Sequence, residues 1–292
     1  MPTVTVVRVF PASPEGGNPA PIVLDAGGMT DAQMRDVARH YGHESGFVVP
    51  LKRADGADFR FRYFVPNHEM EMCGHATIGA LWLLRDAGRI SSSRVLIETL
   101  SGQVEAMVPA KGAISVSQPV GDIAQLTGAE TDEVLSVLGI GETDLARPVA
   151  LNARTSRVKT LIALKDGVRL HSLTPDFGGM ESVCERIGST GLYPFAPDCK
   201  TGTFHARQFP RSSGYPEDAA TGIAASALAF GLLFWDMASP TETIRIRQGE
   251  AMGRASEILI GFERNGATVT RCWIRGSCTI DTAFAPVSLE AD

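Results

Sequence analysis

Phe59-Arg60-Phe61-Arg62-Tyr63-Phe64-Val65-Pro66 and Thr203-Phe204-His205-Ala206-Arg207-Gln208-Phe209-Pro210 each read as a β-strand that ends at a proline. Each is followed by a short polar loop and then by an alanine-rich apolar helix, over 76–84 in the first case and 219–235 in the second. The spacing is constant: 210 − 66 = 144 for the prolines and 221 − 77 = 144 for Thr77 and Thr221. Ala76 with Ala220 and Ala80 with Ala224 fall at the same offset. Strand, loop and helix agree together, so the chain reads as an internal duplication. A helix apolar on every side belongs inside a core, which predicts one buried helix per copy.

Around these two units the chain offers short strand-like runs at 95–99, 104–108, 114–117, 160–164, 244–246, 257–261 and 268–274. Amphipathic surface helices are expected over 30–41 and 131–139, capped by the pairs Thr30-Asp31 and Thr131-Asp132. The fold expected is α/β (α+β), two pseudo-symmetric lobes, each a curved, mostly antiparallel sheet around a central helix. Residues 1–120 with 280–292 would form the N-terminal lobe and 121–279 the C-terminal lobe, with the active-site cleft between them and the link near 121–148. A helix N-terminus carries unpaired N–H groups and partial positive charge, so two such termini at one cleft would suit a small carboxylate.

Composition narrows the function classes. The 292 residues carry 27 Lys+Arg against 33 Asp+Glu, a net charge of −6, and no long basic run, which argues against nucleic acid and anionic membranes as partners. The apolar run at 219–235 is interrupted by Thr221, Gly222, Ser226 and Gly231 and is short for a membrane span. Five scattered cysteines do not suggest a disulfide framework, and a reducing, cytoplasmic setting is expected. The phosphate-loop, dinucleotide and nucleophile-elbow glycine motifs are all missing, so no cofactor is expected.

Three clusters could carry chemistry. In Tyr41-Gly42-His43-Glu44-Ser45-Gly46-Phe47-Val48-Val49, Glu44 stands just before an apolar strand, where a desolvated carboxylate would act as a proton shuttle; the alternative is a solvated loop glutamate. In Glu69-Met70-Glu71-Met72-Cys73-Gly74-His75-Ala76-Thr77, His75 could bond a substrate, Gly74 permits close approach, and Cys73 is either a thiolate base or a small buried residue. His68, Cys73 and His75 match no common zinc spacing, so no metal is expected. In Gly214-Tyr215-Pro216-Glu217-Asp218-Ala219-Ala220-Thr221-Gly222, Asp218 falls opposite Gly74 in the repeat and also reads as a plain N-cap.

Together these clusters resemble the PhzF family, named for the phenazine-biosynthesis isomerase. The likeness begins at Phe10, Gly17-Asn18-Pro19-Ala20 and Val23-Leu24-Asp25-Ala26. It runs through the three clusters to Gln248-Gly249-Glu250-Ala251-Met252-Gly253-Arg254. It implies a diaminopimelate-epimerase-like fold, a homodimer, and cofactor-free proton relocation on a small carboxylated substrate. Glu44 would be the acid/base, assisted by His75 and Asp218. Asn18, Cys73, Gly74, Ala219, Ala220, Thr221 and Gly222 would bind the substrate.

The related epimerases use two opposed cysteines. Here Cys73 supplies the first, and Glu217-Asp218 occupies the position matched to it by the repeat. The phenazine enzymes also carry different residues at His43, Cys73, Ala76 and Ile223, which leaves the substrate open. A Cys73-dependent epimerase or racemase and a non-catalytic small-molecule binder are the alternative readings.

Overall fold

Residues 2–51, 56–212, 215–284 and 287–288 are described by a computed structural model; Gly214 of the third cluster lies outside them. The alternating N-terminal segment forms β1 (Thr3–Val9), which turns back as β2 (Asn18–Val23). α1 (Asp31–Tyr41), β3 (Ser45–Val49), β4 (Phe59–Phe64), the two-residue β5 (Glu69–Met70) and α2 (Gly74–Asp86) follow. Next come β6 (Arg94–Thr99), β7 (Gly102–Met107), β8 (Ile114–Gln118), β9 (Asp122–Gln125) and α3 (Gly128–Leu138). The chain continues through β10 (Leu151–Arg154), β11 (Val158–Ala163), α4 (Gly167–His171), α5 (Phe177–Arg186), β12 (Gly191–Asp198), β13 (Thr203–Ala206), β14 (Phe209–Pro210) and α6 (Gly222–Phe234). It ends with β15 (Ile244–Gln248), β16 (Ser256–Asn265), β17 (Thr268–Gly276), β18 (Cys278–Ile280) and β19 (Val287–Ser288).

Two compact units result. One comprises Met1–Pro11, Gly17–Ser117 and Arg275–Asp292; the other comprises Ala12–Gly16 and Gln118–Ile274. In the first, β1 pairs antiparallel with β2, β2 parallel with β3, β3 antiparallel with β4, β4 parallel with β6, and β6 antiparallel with β7. In the second, β10, β11, β12, β13, β15 and β16 repeat that alternation of antiparallel and parallel pairs in the same order. The duplication is therefore present in the topology. In each unit a 13-residue helix connects the fourth and fifth of these strands, α2 in one and α6 in the other.

Both helices are buried because their sequences leave no polar face: Ile78, Leu81 and Leu84 of α2, and Ala225, Leu228 and Leu232 of α6, are at most 0% exposed. α2 lies against β1, β2, β3 and β18, while α6 lies against β9, β10, β11 and β16. On the other side of the first sheet, Met34, Val37 and Ala38 of α1 pack on Val4, Val23, Phe47 and Phe64. Among the described residues no helix is long and apolar enough to cross a membrane.

Helix ends show where local signals decided the structure. Thr30 and Gln33 form a reciprocal capping box at α1, and Gly42 closes the helix in the left-handed region at φ 67. The helix expected at 131–139 begins earlier, at Gly128, because Thr127 and Glu130 form the same reciprocal pair. Thr131 then falls a turn inside α3, buried.

A second correction concerns the repeat. The strands keep the 144-residue offset (203 − 59 = 144), but the helices begin at Gly74 and Gly222, 148 residues apart. Ala220 and Thr221 therefore precede α6, whereas Ala76 and Thr77 lie within α2. The helix expected from residue 219 starts at 222 because the backbone before it is already engaged: Asp218 N–H donates to Gln208 O at 3.0 Å, and the Gln248 side chain donates to Asp218 O at 2.7 Å. Four extra residues sit between strand and helix in the second unit. Thr221, rather than Glu217-Asp218, is thus the counterpart of Cys73.

Candidate active site

In the first unit a site is assembled from the turn before β3 and the start of α2. Gly42 ends α1, and the chain reverses so that Glu44 immediately precedes β3. The Ser45 hydroxyl donates to His43 O at 3.1 Å and secures the turn. Gly46 lets β3 approach α2 closely, since a Cβ there would lie 3.3 Å from Ala76 Cβ and 2.9 Å from Ile22 Cδ1. A larger residue would push the strand, and Glu44 with it, off the helix start.

That approach joins three functional groups. The Cys73 thiol donates to Glu44 Oε2 at 3.0 Å, and its Sγ is 3.3 Å from His75 Nδ1. His75 Nδ1 is itself 3.6 Å from Glu44 Oε2. Cys73 and His75 are buried, while the Glu44 side chain keeps 31% of its exposure, so the carboxylate is the member that meets solvent. The expected desolvation of Glu44 is partial. His75 Nε2 is buried and has no hydrogen-bond partner, a costly state that a bound substrate would relieve. A carboxylate oxygen, a thiol sulfur and an imidazole nitrogen lying within 4.8 Å of one another form a set that a divalent ion could also bridge. His68, weighed with them from sequence, is exposed in the turn after β4.

A buried relay holds the helix start in place. Tyr63 OH meets Thr77 Oγ1 at 2.6 Å, and the Thr77 hydroxyl donates to Cys73 O at 2.7 Å. Burial drives the Tyr63 phenol far above its ordinary ionisation range, so it remains a neutral donor. Cys73 is the N-cap residue of α2 and makes no side-chain capping bond, because its thiol is turned to Glu44.

The start of α6 in the second unit is organised differently. Thr221 is its N-cap, and the Thr221 hydroxyl donates to Asp218 Oδ2. Asp218 is therefore not the N-cap that its sequence context suggested; it is tied to the cap residue from three positions upstream. Gln248 clamps the same turn: its amide donates to Asp218 O and, at 3.2 Å, to Thr221 Oγ1. Its carbonyl accepts from Tyr193 OH at 2.8 Å and from Thr221 N–H at 3.3 Å. Just upstream, the Arg207 guanidinium grips Glu217 through two bonds of 2.9 and 2.7 Å and donates to Leu173 O at 2.8 Å. Gly249 has φ +77, and a Cβ there would come 2.8 Å from Ala219 O, so only glycine fits beside this turn.

The structure thus brings Glu44, Cys73 and His75 together, with Gly74 as the first residue of α2. Asp218 and Thr221 are joined at the start of α6, whose first residue is Gly222; Ala219 and Ala220 are buried in the same turn. Asn18 opens β2 opposite Val9. Sequence reasoning missed the Cys73–Glu44 contact and the Gln248 clamp. Gln248 stood in a quoted motif, but its partners are 27, 30 and 55 residues away along the chain.

A family model described as phenazine biosynthesis-like protein (PhzC-PhzF) matches residues 7–283. An uncharacterized isomerase of Deinococcus radiodurans is 31% identical over 286 residues, covering 94% of this chain and 91% of that protein. A trans-2,3-dihydro-3-hydroxyanthranilate isomerase of Pseudomonas fluorescens is 27% identical, covering 95% and 96%. Among solved structures, the Bacillus anthracis phenazine biosynthesis protein of the PhzF family superposes with a TM-score of 0.87 at 22% identity, covering 98% of this chain and 99% of that one. A probable proline racemase from Agrobacterium radiobacter shares the fold more distantly, with a TM-score of 0.67 at 15% identity and 100% and 94% coverage.

Proposed function

Because the chain belongs to the phenazine biosynthesis-like PhzC-PhzF family, whose named relatives are isomerases, we propose that it relocates a proton on a small carboxylated substrate by general acid/base catalysis. The observation that carries this reading is the contact of Glu44 Oε2 with the Cys73 thiol and His75, together with the unpartnered His75 Nε2. In the proposed reaction Glu44 takes a proton from one substrate carbon and returns it to another, so no net proton is consumed. His75 Nε2 would bond the substrate and hold it against the carboxylate. The Cys73 thiol would steady the Glu44 carboxylate before it takes the proton and again after it has returned it.

For Asp218 the support is the family resemblance, and its proposed part is to orient the same substrate. Asp218→Asn should raise KM or lower kcat without unfolding the protein. A cofactor-free reaction, a homodimer and a cytoplasmic setting complete the proposal; light scattering of the purified protein tests the dimer.

The test is deuterium uptake from D2O into candidate carboxylates, including the substrate named for the Pseudomonas fluorescens relative. Glu44→Gln should lose at least about 10² in rate, the usual scale of a positioned acid/base. Near-normal exchange by that variant would remove Glu44 from its role, and the absence of exchange into any bound ligand would favour a pure binder.

The position of the Cys73 thiol also supports a second reading, in which Cys73 itself is the base of an epimerisation. Cys73→Ala should then abolish exchange, whereas a Glu44 mechanism should survive it with reduced rate. Thr221, the counterpart of Cys73, offers a hydroxyl rather than a second thiol.

A further inference from the structure

We propose that His171, His205 and Glu250 form a binding site for one divalent transition-metal ion of the zinc class, separate from the Glu44–Cys73–His75 group. The three donors come from separate elements of the second unit: the last residue of α4, the middle of β13, and the one-turn 3-10 helix Glu250–Met252 that follows β15. Their ligand atoms all lie within 4.8 Å of one another. His205 Nδ1 is 2.5 Å from Glu250 Oε2, and His171 Nε2 is 3.7 Å from that same oxygen. The two imidazoles stand edge to face with centroids 5.9 Å apart, so neither ring covers the donor atom of the other.

A tetrahedral ion with bonds of about 2.0–2.1 Å holds its ligand atoms roughly 3.3–3.5 Å apart, and small side-chain rotations bring these three to that spacing. Two imidazoles and one carboxylate, with a fourth position left to water, suit zinc and its neighbours; magnesium and calcium require more oxygen ligands. On binding, the ion would replace the hydrogen bond between His205 Nδ1 and Glu250 Oε2, with the single proton of the neutral imidazole carried on Nε2 and Glu250 bound as its carboxylate.

The surroundings favour the ion. His171 is exposed and gives a route of entry, while His205 and Glu250 retain 22% and 24% side-chain exposure. The nearby Arg207 guanidinium is neutralised by Glu217, and Asp198 adds negative charge beside His205. The turn bearing Glu250 is flanked by Gly249 and Gly253, both in the left-handed region, and so is fixed in direction. Since Gln248 lies two residues before Glu250 and clamps Asp218 and Thr221, an ion here would brace that clamp to α4 and β13.

The test is titration of the chelator-treated full-length protein with Co²⁺, followed by its visible absorption, and with Zn²⁺ in competition with a chromophoric chelator. One equivalent should bind. His171→Ala, His205→Gln and Glu250→Gln should each weaken binding by about tenfold or more, because removal of a ligand exceeds the usual cost of losing an outer-shell partner. Cys73→Ser should leave this binding intact and remove any thiolate–cobalt band arising from the other group. Zn²⁺ that just saturates the unsubstituted chain should raise its thermal midpoint by more than it raises that of His171→Ala. His171 is exposed, so its replacement does not threaten folding. Binding unaffected by His171→Ala and His205→Gln, binding lost in Cys73→Ser, or no binding below millimolar Zn²⁺ would overturn the proposal.

Discussion

Thr221 stands before α6 as Cys73 stands before α2: each is the cap residue of a 13-residue buried helix, with φ/ψ of −129°/96° and −138°/109°. Neither side chain caps its helix; one is turned to Asp218 and the other to Glu44. The two copies therefore keep the same design, a small polar side chain at the helix tip bonded to a carboxylate, with different atoms.

This design predicts unequal effects of substitution at the two caps. Thr221→Val removes the hydroxyl that links Asp218 and Gln248 and should cost about 1–2 kcal/mol in urea unfolding. Cys73→Ala removes a weaker donor and should cost less than Thr221→Val, its main effect being on turnover. Equal losses of stability would contradict the hydrogen-bond assignments.

The two buried tyrosines predict a steep alkaline limit. Burial raises the ionisation of Tyr63 and of Tyr193 well beyond the ordinary phenol value of about 10. Above that pH the unfolded chain loses protons that the folded chain keeps, so stability falls as pH rises. Each phenol contributes about 1.4 kcal/mol per pH unit to that slope. Below pH 9 the contribution is fully present. Tyr63→Phe and Tyr193→Phe should each flatten the decline of unfolding free energy above pH 10 by one proton; an unchanged slope would show that the phenol ionises within the fold.

Arg207 and Glu217 form a bidentate pair whose side chains are each only 9% exposed. Removing one partner strands a buried charge, so Glu217→Gln and Arg207→Met should each destabilise by about 3–5 kcal/mol. The double variant should cost less than the sum of the two, as a double-mutant cycle in urea would show.

Cysteine reactivity should follow exposure. Burial lifts the Cys184 thiol to about 11 and the Cys272 thiol to about 12, while Cys199 is exposed. Iodoacetamide at pH 8 should therefore label Cys199 first, and Cys184 and Cys272 only after unfolding, as read by peptide mass spectrometry.

Strands and buried helices were readable because their signals are local. Phe59 to Phe64 alternates and ends before a proline, and α2 and α6 have no polar face. The capping box at Thr30 lies within four residues and was half visible; the one at Thr127 lost to the Thr131-Asp132 pair, which looks equally good until burial of Thr131 is known. The repeat offset failed at α6 because two alanines and a threonine matched by chance across a loop four residues longer. α4 and α5 were not anticipated: one has five residues, and the other begins Phe177-Gly178-Gly179, which reads as loop until Asp176 caps it. Among the candidate residues, local context singled out Glu44, His75 and Asp218 but left each with a structural alternative, and the family resemblance supplied their roles. The clamp by Gln248 depends on strand pairings that no window of sequence contains.

β1 has β2 on one side and β18 on the other, with Val7 opposite Ile280, partners 280 − 7 = 273 residues apart. During synthesis, then, β1 is made long before the neighbour that covers this edge. Its open edge is available to other chains until β18 leaves the ribosome. Removing residues 278–292, which carry β18 and β19, would leave that edge bare for good, with insolubility rather than lost catalysis as the first symptom.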